Sequence, residues 1–308
     1  MTIQDKLKII QNLSGLTQEK LAEKLRVSFA TLNSWINGKS KAHKKGDKNI
    51  NDLYFLYTGQ KNIQEDPLRA KKQIITDKSR KCGNVLKKIV KSTDIYDQFL
   101  LSLTYHSNKI EGSTLTEDET RAIMFDNVSL PNKNIIEQLE VKNHQAALEY
   151  LLKSLLSASF KINEIFILKL HGILMNGIRK DAGAYRNHGV RIVGTYVPTA
   201  NYLKVPRLMQ ELTKDINHKY KDIVAHTANI HSRFEQIHPF SDGNGRVGRL
   251  LAGAMLLKNN LPPAVIEQKK KRFYNNYLRK AQLGNDFIPL ENFLCDSIIV
   301  GFKVLERK

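Results

Sequence analysis

The stretch His238-Pro239-Phe240-Ser241-Asp242-Gly243-Asn244-Gly245-Arg246-Val247-Gly248-Arg249 decides the fold of this chain. The apolar run Leu250–Leu257 follows it directly and is long enough to predict a buried helix. A glycine-rich turn that begins a helix presents backbone N–H groups and the positive end of the helix dipole. The sequence therefore predicts a buried helix with an anion-binding site at its N-terminus.

The charged side chains of the same stretch suit phosphate chemistry. Arg246 and Arg249 are three residues apart, so they lie on neighbouring helical turns and can reach two phosphates of one chain. Asp242 offers oxygen ligands to Mg²⁺, and the His238 imidazole can accept a proton from a hydroxyl at neutral pH. Each part alone is more typical of a turn, a helix stop or a surface ion pair. Together, in this order, they favour phosphoryl-group chemistry of a nucleotide on a hydroxyl acceptor.

At these positions the chain resembles the Fic family, whose signature His-Pro-Phe-x-Asp/Glu-Gly-Asn-Gly/Lys-Arg-x-x-Arg it matches at every fixed position. The resemblance implies transfer of AMP from ATP to a Ser, Thr or Tyr hydroxyl of a protein. His238 would then be the catalytic base and Asp242 the ligand of Mg²⁺. The expected ATP-phosphate ligands are Gly243, Asn244, Gly245, Arg246 and, for the γ-phosphate, Arg249.

A second informative stretch ends in Ser107-Asn108-Lys109-Ile110-Glu111-Gly112. Its apolar spacing predicts a helix at about 95–111 that Gly112 terminates. Glu111 at the C-terminal end of a helix opposes the helix dipole and favours an external cation. Ser107-x-x-x-Glu111-Gly112 resembles the inhibitory motif of Fic proteins whose inhibitory helix precedes the catalytic core. The resemblance implies that Glu111 pairs with Arg249 and blocks the seat of the γ-phosphate.

Two short β-branched runs, 190–193 and 196–198, surround Gly194-Thr195 and predict a β-hairpin. By resemblance this hairpin is the flap that binds the target protein by strand addition. The expected target-binding residues are Val190, Arg191, Ile192 and Val193.

The resemblance also predicts contacts to adenosine from Tyr274 and Gln282. Many relatives have a second Tyr after the first and an Asn or Asp at the later position. Asn275 and Gln282 stand at these two positions here, so the prediction is firmer for phosphate than for adenine.

Short amphipathic segments in residues 1–59 predict a helix-turn-helix similar to the phage-repressor class. Thr17 and Ser28 are expected to cap the second and third helices, and Gly38 to end the third. The expected DNA-facing residues are Gln18, Phe29, Ala30, Asn33 and Ser34. Because this set contains few base-reading side chains, a protein-contact module remains an alternative to DNA binding.

The composition of the chain narrows the range of binding partners and cellular locations. The formal net charge of +19 favours acidic partners, namely nucleic acid, a nucleotide or an acidic protein surface. Cys82 and Cys295 match no metal-binding spacing, and reduced thiols favour a cytoplasmic location. No apolar run is long enough to suggest a membrane span.

We therefore expect a mainly all-α chain with a helix-turn-helix domain at 1–59, a linker at 60–84 and a Fic domain at 85–308. A solvent-facing helix that starts at Asp66-Pro67 is an alternative to the linker. The leading prediction is an Mg²⁺-dependent protein adenylyltransferase that Glu111 inhibits. Its target is an unidentified protein or the chain itself, and a homodimer is an open alternative. Two other functions stay open: removal of AMP by the same site, and a DNA-binding regulator whose Fic core senses nucleotide.

Overall fold

A computed structural model describes residues 2–58, 65–192 and 195–306. Regular structure in these ranges is helical, which confirms the predicted mainly-α class. The chain divides into two compact units, Met1–Ile63 and Gln64–Lys308. Among the described helices, none combines the length and apolar character needed to cross a membrane.

In its described residues, 2–58, the first unit contains four helices: α1 (Ile3–Ser14), α2 (Gln18–Leu25), α3 (Phe29–Ile36) and α4 (Lys44–Thr58). The predicted caps are confirmed, because the hydroxyls of Thr17 and Ser28 accept hydrogen bonds from the backbone N–H groups of Lys20 and Thr31. Gly38 follows α3 with φ of +69°, a conformation that favours glycine. The helix-turn-helix layout thus follows from local capping signals.

The core of this unit is apolar and closed on all sides by the four helices. Trp35 of α3 is buried at its centre, and a Cβ at Gly46 would overlap the indole ring. The buried side chains are Leu7, Ile10, Leu21, Ala22, Leu25, Leu32, Trp35, Ile50 and Tyr54. Of the residues predicted to face DNA, Phe29, Ala30 and Asn33 are exposed, and Gln18 and Ser34 are half-buried.

The second unit is built from eleven α-helices in its described residues. They are α5 (Glu65–Cys82), α6 (Val85–Lys91), α7 (Thr93–Glu111), α8 (Glu117–Phe125), α9 (Ile135–Leu155), α10 (Glu164–Leu174), α11 (Val205–Ile216), α12 (Ile223–Ile237), α13 (Asn244–Lys258), α14 (Lys271–Gly284) and α15 (Ile288–Leu305). Short 3₁₀ turns at Tyr202–Lys204 and Gln268–Lys270 precede α11 and α14.

Helix α13 is the central element of this unit. It packs against α12 on one side and against α7, α9 and α10 on the others. Its side chains are buried along almost the whole length, from Asn244 to Leu257. Because every face of α13 is covered, its N-terminal turn is fixed in place, and the signature loop that precedes it is fixed with it.

Of the two alternatives for 60–84, a linker or a solvent-facing helix, the structure has the helix over most of the range. Residues 65–82 form α5, which packs against α15, while 59–64 lie outside the described residues. Lys71 pairs with Asp296 at 2.5 Å, and Lys72 bonds Glu291 as well as Asp222, the latter at 2.6 Å. The local sequence looks like a linker because these stabilising partners lie more than 140 residues away.

Helix α7 agrees with the predicted inhibitory helix. It ends at Glu111, and Gly112 follows with φ of +115°, so the predicted glycine stop is confirmed. Beyond it, Thr116 and Glu119 form a capping box that starts α8. The chain therefore turns sharply after Glu111, which leaves this carboxylate at the end of α7 facing the N-terminus of α13.

The predicted β-hairpin is not formed by the residues described. Residues 190–192 and 195–198 adopt no strand, and Val193 and Gly194 lie outside the described residues. The two arms are joined by a side-chain bond from the Thr199 hydroxyl to the Val190 carbonyl at 2.8 Å. A two-stranded ribbon with no third strand or covering helix is marginal in water, so β-branched composition alone does not enforce a ladder.

Candidate active site

His238 ends α12 in the left-handed region, with φ of +50° and ψ of +61°. Its ring Nδ1 lies 3.1 Å from the Glu235 carbonyl oxygen. A carbonyl oxygen can only accept, so Nδ1 carries the proton and Nε2 keeps a free lone pair. Burial lowers the pKa of His238 below its usual value near 6.5, although the Glu235 carbonyl opposes that shift. The imidazole is therefore neutral at pH 7 and ready to accept a proton at Nε2.

The buried Arg186 guanidinium fixes the loop on which His238 lies. It donates to the carbonyl oxygens of His238 at 2.7 Å, Ala200 at 2.6 Å and His188 at 2.7 Å. These carbonyls come from the end of α12 and from residues on either side of the predicted flap. Arg186 thus joins the flap base to the catalytic loop, which is a structural role.

Phe240 anchors the loop in the core. Its ring stacks on His171 of α10 with centroids 3.7 Å apart. His171 accepts from the Gly183 N–H at Nδ1, so its Nε2–H donates to the Asp242 carbonyl at 3.2 Å. Burial lowers the pKa of His171 to about 4, which keeps this tautomer neutral. A lone histidine on an apolar helix gives no sequence signal of this bond, which depends on a loop about 70 residues away.

Asn244 closes the loop on itself. Its side-chain amide donates to the Phe240 carbonyl and accepts from the Phe240 N–H, both at 2.9 Å. Both ends of the amide are therefore engaged in closing the loop, and the expected part of Asn244 in phosphate binding stays a prediction. Gly243 precedes it with φ of +75°, and a Cβ there would lie 2.9 Å from Met175 Sδ. Since glycine has no capping side chain, the first-turn N–H groups of α13 stay directed at the cleft.

Arg246 lies beneath the loop. Its buried guanidinium pairs with Glu140 of α9 at 2.5 Å and approaches Asp242 Oδ1 at 3.7 Å. Glu140 holds the guanidinium and Arg246 is not among the residues that line the cleft, while its expected contact with phosphate stays a prediction. Glu140 was not identified from the sequence, because nothing local relates it to a residue more than 100 positions away.

Asp242 reaches the cleft. Its side chain is 55% exposed, and Oδ1 accepts the Gly243 N–H at 2.6 Å. The described residues contain no cluster of three His, Cys, Asp or Glu side chains suited to a metal ion. Any cation at this carboxylate would need its further ligands from a substrate or from water.

Arg249 is held by α7. Its Nη2 lies 2.6 Å from Glu111 Oε1 and 3.1 Å from the Ser107 carbonyl, and its Nε donates to the Ser107 hydroxyl at 3.0 Å. The predicted Glu111–Arg249 contact is therefore present. Burial raises the pKa of Glu111, but the charge and hydrogen bond of Arg249 together with the charges of Arg246 and Lys271 outweigh it, and the pKa is lowered. The carboxylate touches Gly245 so closely that a Cβ there would overlap it.

Tyr274 supports Arg249 from the opposite side. Its buried hydroxyl lies 2.6 Å from His231 Nε2, and His231 Nδ1 lies 3.2 Å from the Gly248 carbonyl. The carbonyl requires the proton at Nδ1, so Tyr274 donates to Nε2. Tyr274 lines the cleft, and its expected contact with adenosine stays a prediction. Gln282 also lines the cleft and donates to the Ser232 carbonyl at 3.3 Å.

One continuous cleft brings most of the predicted residues together. Its walls include His238, Asp242, the first residues of α13, Glu111, Arg249, Tyr274 and Gln282. The flap contributes Arg191, Ile192 and Thr195 to the rim, whereas Val190 is engaged at its carbonyl by Thr199. Glu235 also lines this cleft and was missed, because one acidic residue in an apolar helix gives no signal of its own.

Comparison with known proteins agrees with this geometry. The Fic/DOC family model matches residues 161–256, and a helix-turn-helix model matches residues 7–44. This chain therefore carries a Fic domain behind an N-terminal helix-turn-helix domain.

Curated relatives match part of this chain in sequence. The chain is 34% identical over 194 residues to the protein adenylyltransferase Fic of Nematostella vectensis, which covers 62% of this chain and 45% of that protein. It is 31% identical over 196 residues to the Aedes aegypti protein of the same name, and this match covers 62% of this chain and 39% of that protein. The chain thus spans less than half the length of either relative.

A solved structure shares the fold. A Fic-domain signalling protein of Bacteroides thetaiotaomicron superposes with a TM-score of 0.66 at 24% identity, covering 77% of this chain and 98% of that chain. At this identity the similarity concerns the fold alone.

Two glycines of α13 give a matched test of packing. We expect Gly248→Ala to destabilise the second unit by about 1–3 kcal/mol, because its Cβ would overlap Glu235 Oε1 and press on Phe234. Gly253→Ala should instead stabilise the helix by up to about 1 kcal/mol, since its Cβ would lie 3.7 Å from Pro263 Cβ, an ordinary contact. Urea unfolding followed by circular dichroism measures both. Fluorescence of Trp35, the single tryptophan, serves as an internal control on the first unit. Equal effects of the two substitutions would contradict the packing argument.

Proposed function

We propose that this chain is a protein adenylyltransferase that transfers AMP from ATP to a Ser, Thr or Tyr hydroxyl, and that Glu111 holds it inactive. The observation that carries the proposal is the Glu111–Arg249 contact, which lies against Gly245 in the same cleft as the neutral His238. A base, an anion-binding helix end and a blocked arginine together fit an inhibited nucleotide-transfer site. The names of the curated relatives carry the same activity.

His238 is the general base of the proposed reaction. Its Nε2 takes the proton from the target hydroxyl, and the hydroxyl oxygen attacks the α-phosphorus of ATP. The new O–P bond forms as the bond from the α-phosphorus to the bridging oxygen breaks, and pyrophosphate leaves. The Nδ1–H bond to the Glu235 carbonyl keeps the ring in the required tautomer throughout.

The N-terminus of α13 holds the phosphates. Backbone N–H groups of Gly243, Asn244 and Gly245 surround the α- and β-phosphates, and the helix dipole favours their charge. Arg249 binds the γ-phosphate once Glu111 releases it. Asn244 and Arg246 contribute by holding the loop, through the Phe240 backbone and through Glu140.

Asp242 is the residue that would hold Mg²⁺. The site fits this ion, because one half-exposed carboxylate beside a phosphate cradle matches its habit of binding through few protein ligands plus substrate oxygens. When bound, Mg²⁺ supplies positive charge that neutralises the phosphates and the departing pyrophosphate.

The nucleoside lies at the α14 side of the cleft. The Tyr274 ring and the Gln282 amide line this part and offer one stacking surface and one hydrogen-bonding group. ATP is the proposed substrate on this basis.

The target protein approaches from the flap side. Val190, Arg191 and Ile192 lie where an extended segment could pair with the flap backbone and place its hydroxyl near His238. Strand pairing by a bound target would supply the ladder that the isolated flap arms do not form.

Labelled ATP tests the proposal directly. The Glu111→Gly protein is incubated with Mg²⁺ and ATP labelled at the α-phosphate or, in parallel, at the γ-phosphate. Protein-bound label from the α-position alone is expected for adenylyl transfer. Label from the γ-position would indicate a kinase-type reaction and contradict the proposal. Loss of label from a pre-modified protein, without any gain, would favour the opposite reaction, in which Glu111 positions a water.

A second proposed function rests on the helix-turn-helix domain. Residues 1–59 present the exposed Phe29, Ala30 and Asn33 on α3, and lysines 39, 41, 44 and 45 follow them. We propose that this face binds duplex DNA, with the lysines contacting phosphates.

For the full chain and fluorescent genomic fragments, we expect anisotropy to show binding that weakens as salt rises. Lys44→Gln/Lys45→Gln should make the negative slope of log K for binding against log salt concentration shallower by about 2, because each lost phosphate contact removes about 0.9 from it. Lys153→Gln, an exposed lysine of α9, serves as the control. Flat anisotropy with every fragment would leave the domain as a protein-contact module.

A further inference from the structure

Glu235 is a buried carboxyl group inside the cleft that the proposed reaction does not use. It lies on α12 one turn before His238, and the residue is 8% exposed. Its Oε1 has no hydrogen-bond partner among the residues described. The same oxygen sits against Gly248, beside the rings of Phe234 and His231.

Two carboxyl groups therefore approach the same face of α13. Glu111 lies against Gly245 and Glu235 against Gly248, and these glycines are three residues apart, so they share the face from which Arg249 projects. Glu111 forms an ion pair with Arg249. The Arg249 charge lowers the pKa of Glu235, but the two side chains form no ion pair within 4 Å in the described structure.

The groups around Glu235 come from α7, α12, α13 and α14. They are Glu111, His231 and His238, Arg249, and Tyr274. Burial lowers the pKa of His231 to about 3 and raises that of Tyr274, so both are uncharged. The pKa of His238 is also lowered by burial. Arg249 and Glu111 are thus the charged neighbours.

Burial raises the pKa of Glu235 to about 7, with Arg249 opposing the shift and Glu111 adding to it. The carboxyl group therefore exchanges its proton near neutral pH. Its ionised form competes with any anion that approaches Arg249 and repels that anion as well.

We propose that Glu235 is a positioning residue for Arg249, which must carry its proton when Arg249 binds the terminal phosphate of a nucleoside triphosphate. Binding of ATP is then coupled to uptake of one proton. The inference rests on the proposed function, because it takes Arg249 as the seat of the γ-phosphate. Since ATP raises the pKa of Glu235 above its free-state value, affinity is greatest below that value and falls as pH rises through it.

The test measures binding of Mg-ATP and of AMP at pH 6, 7 and 8 by calorimetry. The background is Glu111→Gly/His238→Ala, which frees Arg249 and prevents transfer. The matched variant adds Glu235→Gln, which keeps the shape of the side chain and removes its titration. Removing Glu111 deletes a negative charge near Glu235, so the pKa of Glu235 should lie somewhat below 7 in this background. Protonation of ATP itself changes its affinity for both proteins equally, so this effect cancels in the ratio of the two affinities.

With Glu235 present, we expect ATP affinity to fall about tenfold from pH 6 to pH 8 relative to the Gln variant. AMP has no terminal phosphate, so its affinity should show no such difference. Equal pH dependence of ATP binding in the two proteins would overturn the inference. Loss of ATP binding at every pH would count against the proposed nucleotide site itself, and the inference would fail with it.

A second readout needs no change at Glu235. Calorimetry of Glu111→Gly/His238→Ala at pH 7 in two buffers of different ionisation enthalpy counts the protons taken up with ATP. We expect uptake of a substantial fraction of one proton for ATP beyond that for AMP. Zero excess uptake would contradict the proposal even if Glu235→Gln failed to fold.

Discussion

Replacing His238 with alanine in a Glu111→Gly background should reduce transfer of labelled AMP by about 10²–10⁴-fold, the usual contribution of a positioned general base. The physical reason is the free lone pair at Nε2, which the Nδ1–H bond to the Glu235 carbonyl maintains. Alanine leaves the target hydroxyl protonated when it attacks the α-phosphorus. The measurement is the initial rate of α-label incorporation.

Two controls separate loss of the base from loss of the site. Binding of ATP should persist in His238→Ala, because the proposed phosphate-binding groups are the N-terminal turn of α13 and the side chain of Arg249 on the same helix. His188→Ala should keep full activity, since this exposed ring bonds its neighbour Asn187 and lies outside the cleft lining. Activity that survives His238→Ala would remove the assigned base. Because the pKa of His238 is lowered, the activity of Glu111→Gly at saturating ATP should stay flat down through pH 6.5 and decline only as pH falls through that lowered pKa.

Replacing Glu111 with glycine should raise transfer at least tenfold over the unsubstituted chain. The Arg249–Glu111 bond is charge-assisted, and bonds of this kind contribute about 1.5–3 kcal/mol, which corresponds to roughly 10–100-fold in rate if it must break before the γ-phosphate binds. The pKa of Glu111 is lowered, so its charge and its hold on Arg249 persist from pH 8 down to its depressed pKa. Glycine at this last position of α7 disturbs the helix little, because Gly112 already terminates it.

Graded variants sharpen this prediction. Glu111→Gln keeps the size of the side chain and removes its charge, so its rate should fall between the two proteins. Ser107→Ala removes one acceptor of Arg249 Nε but leaves the carboxylate, and its effect should be smaller. Equal rates for the unsubstituted chain and Glu111→Gly, with ATP binding intact in both, would disprove inhibition by Glu111.

Local sequence determined a large share of this molecule. The caps at Thr17, Ser28 and Thr116 and the glycine after Glu111 were readable, because each acts on backbone groups within a few residues. The order of residues in 238–249 likewise indicated a base, a cation ligand and an anion-binding helix end, since all three lie on one short loop. The Glu111–Arg249 contact spans 138 residues and was accessible only through the resemblance of two motifs.

Tertiary structure decided how each polar side chain is used. Arg246 lies under the loop because Glu140 comes from α9, and the Tyr274 hydroxyl is engaged because His231 faces it from α12. Helix α5 forms where a linker was expected, because Lys71 and Lys72 find carboxylates far along the chain. Glu235 becomes a titrating neighbour of Arg249 only through burial, which no sequence pattern records. A hydrogen bond within a turn depends on nearby residues, whereas the protonation and partners of a buried group depend on everything that packs around it.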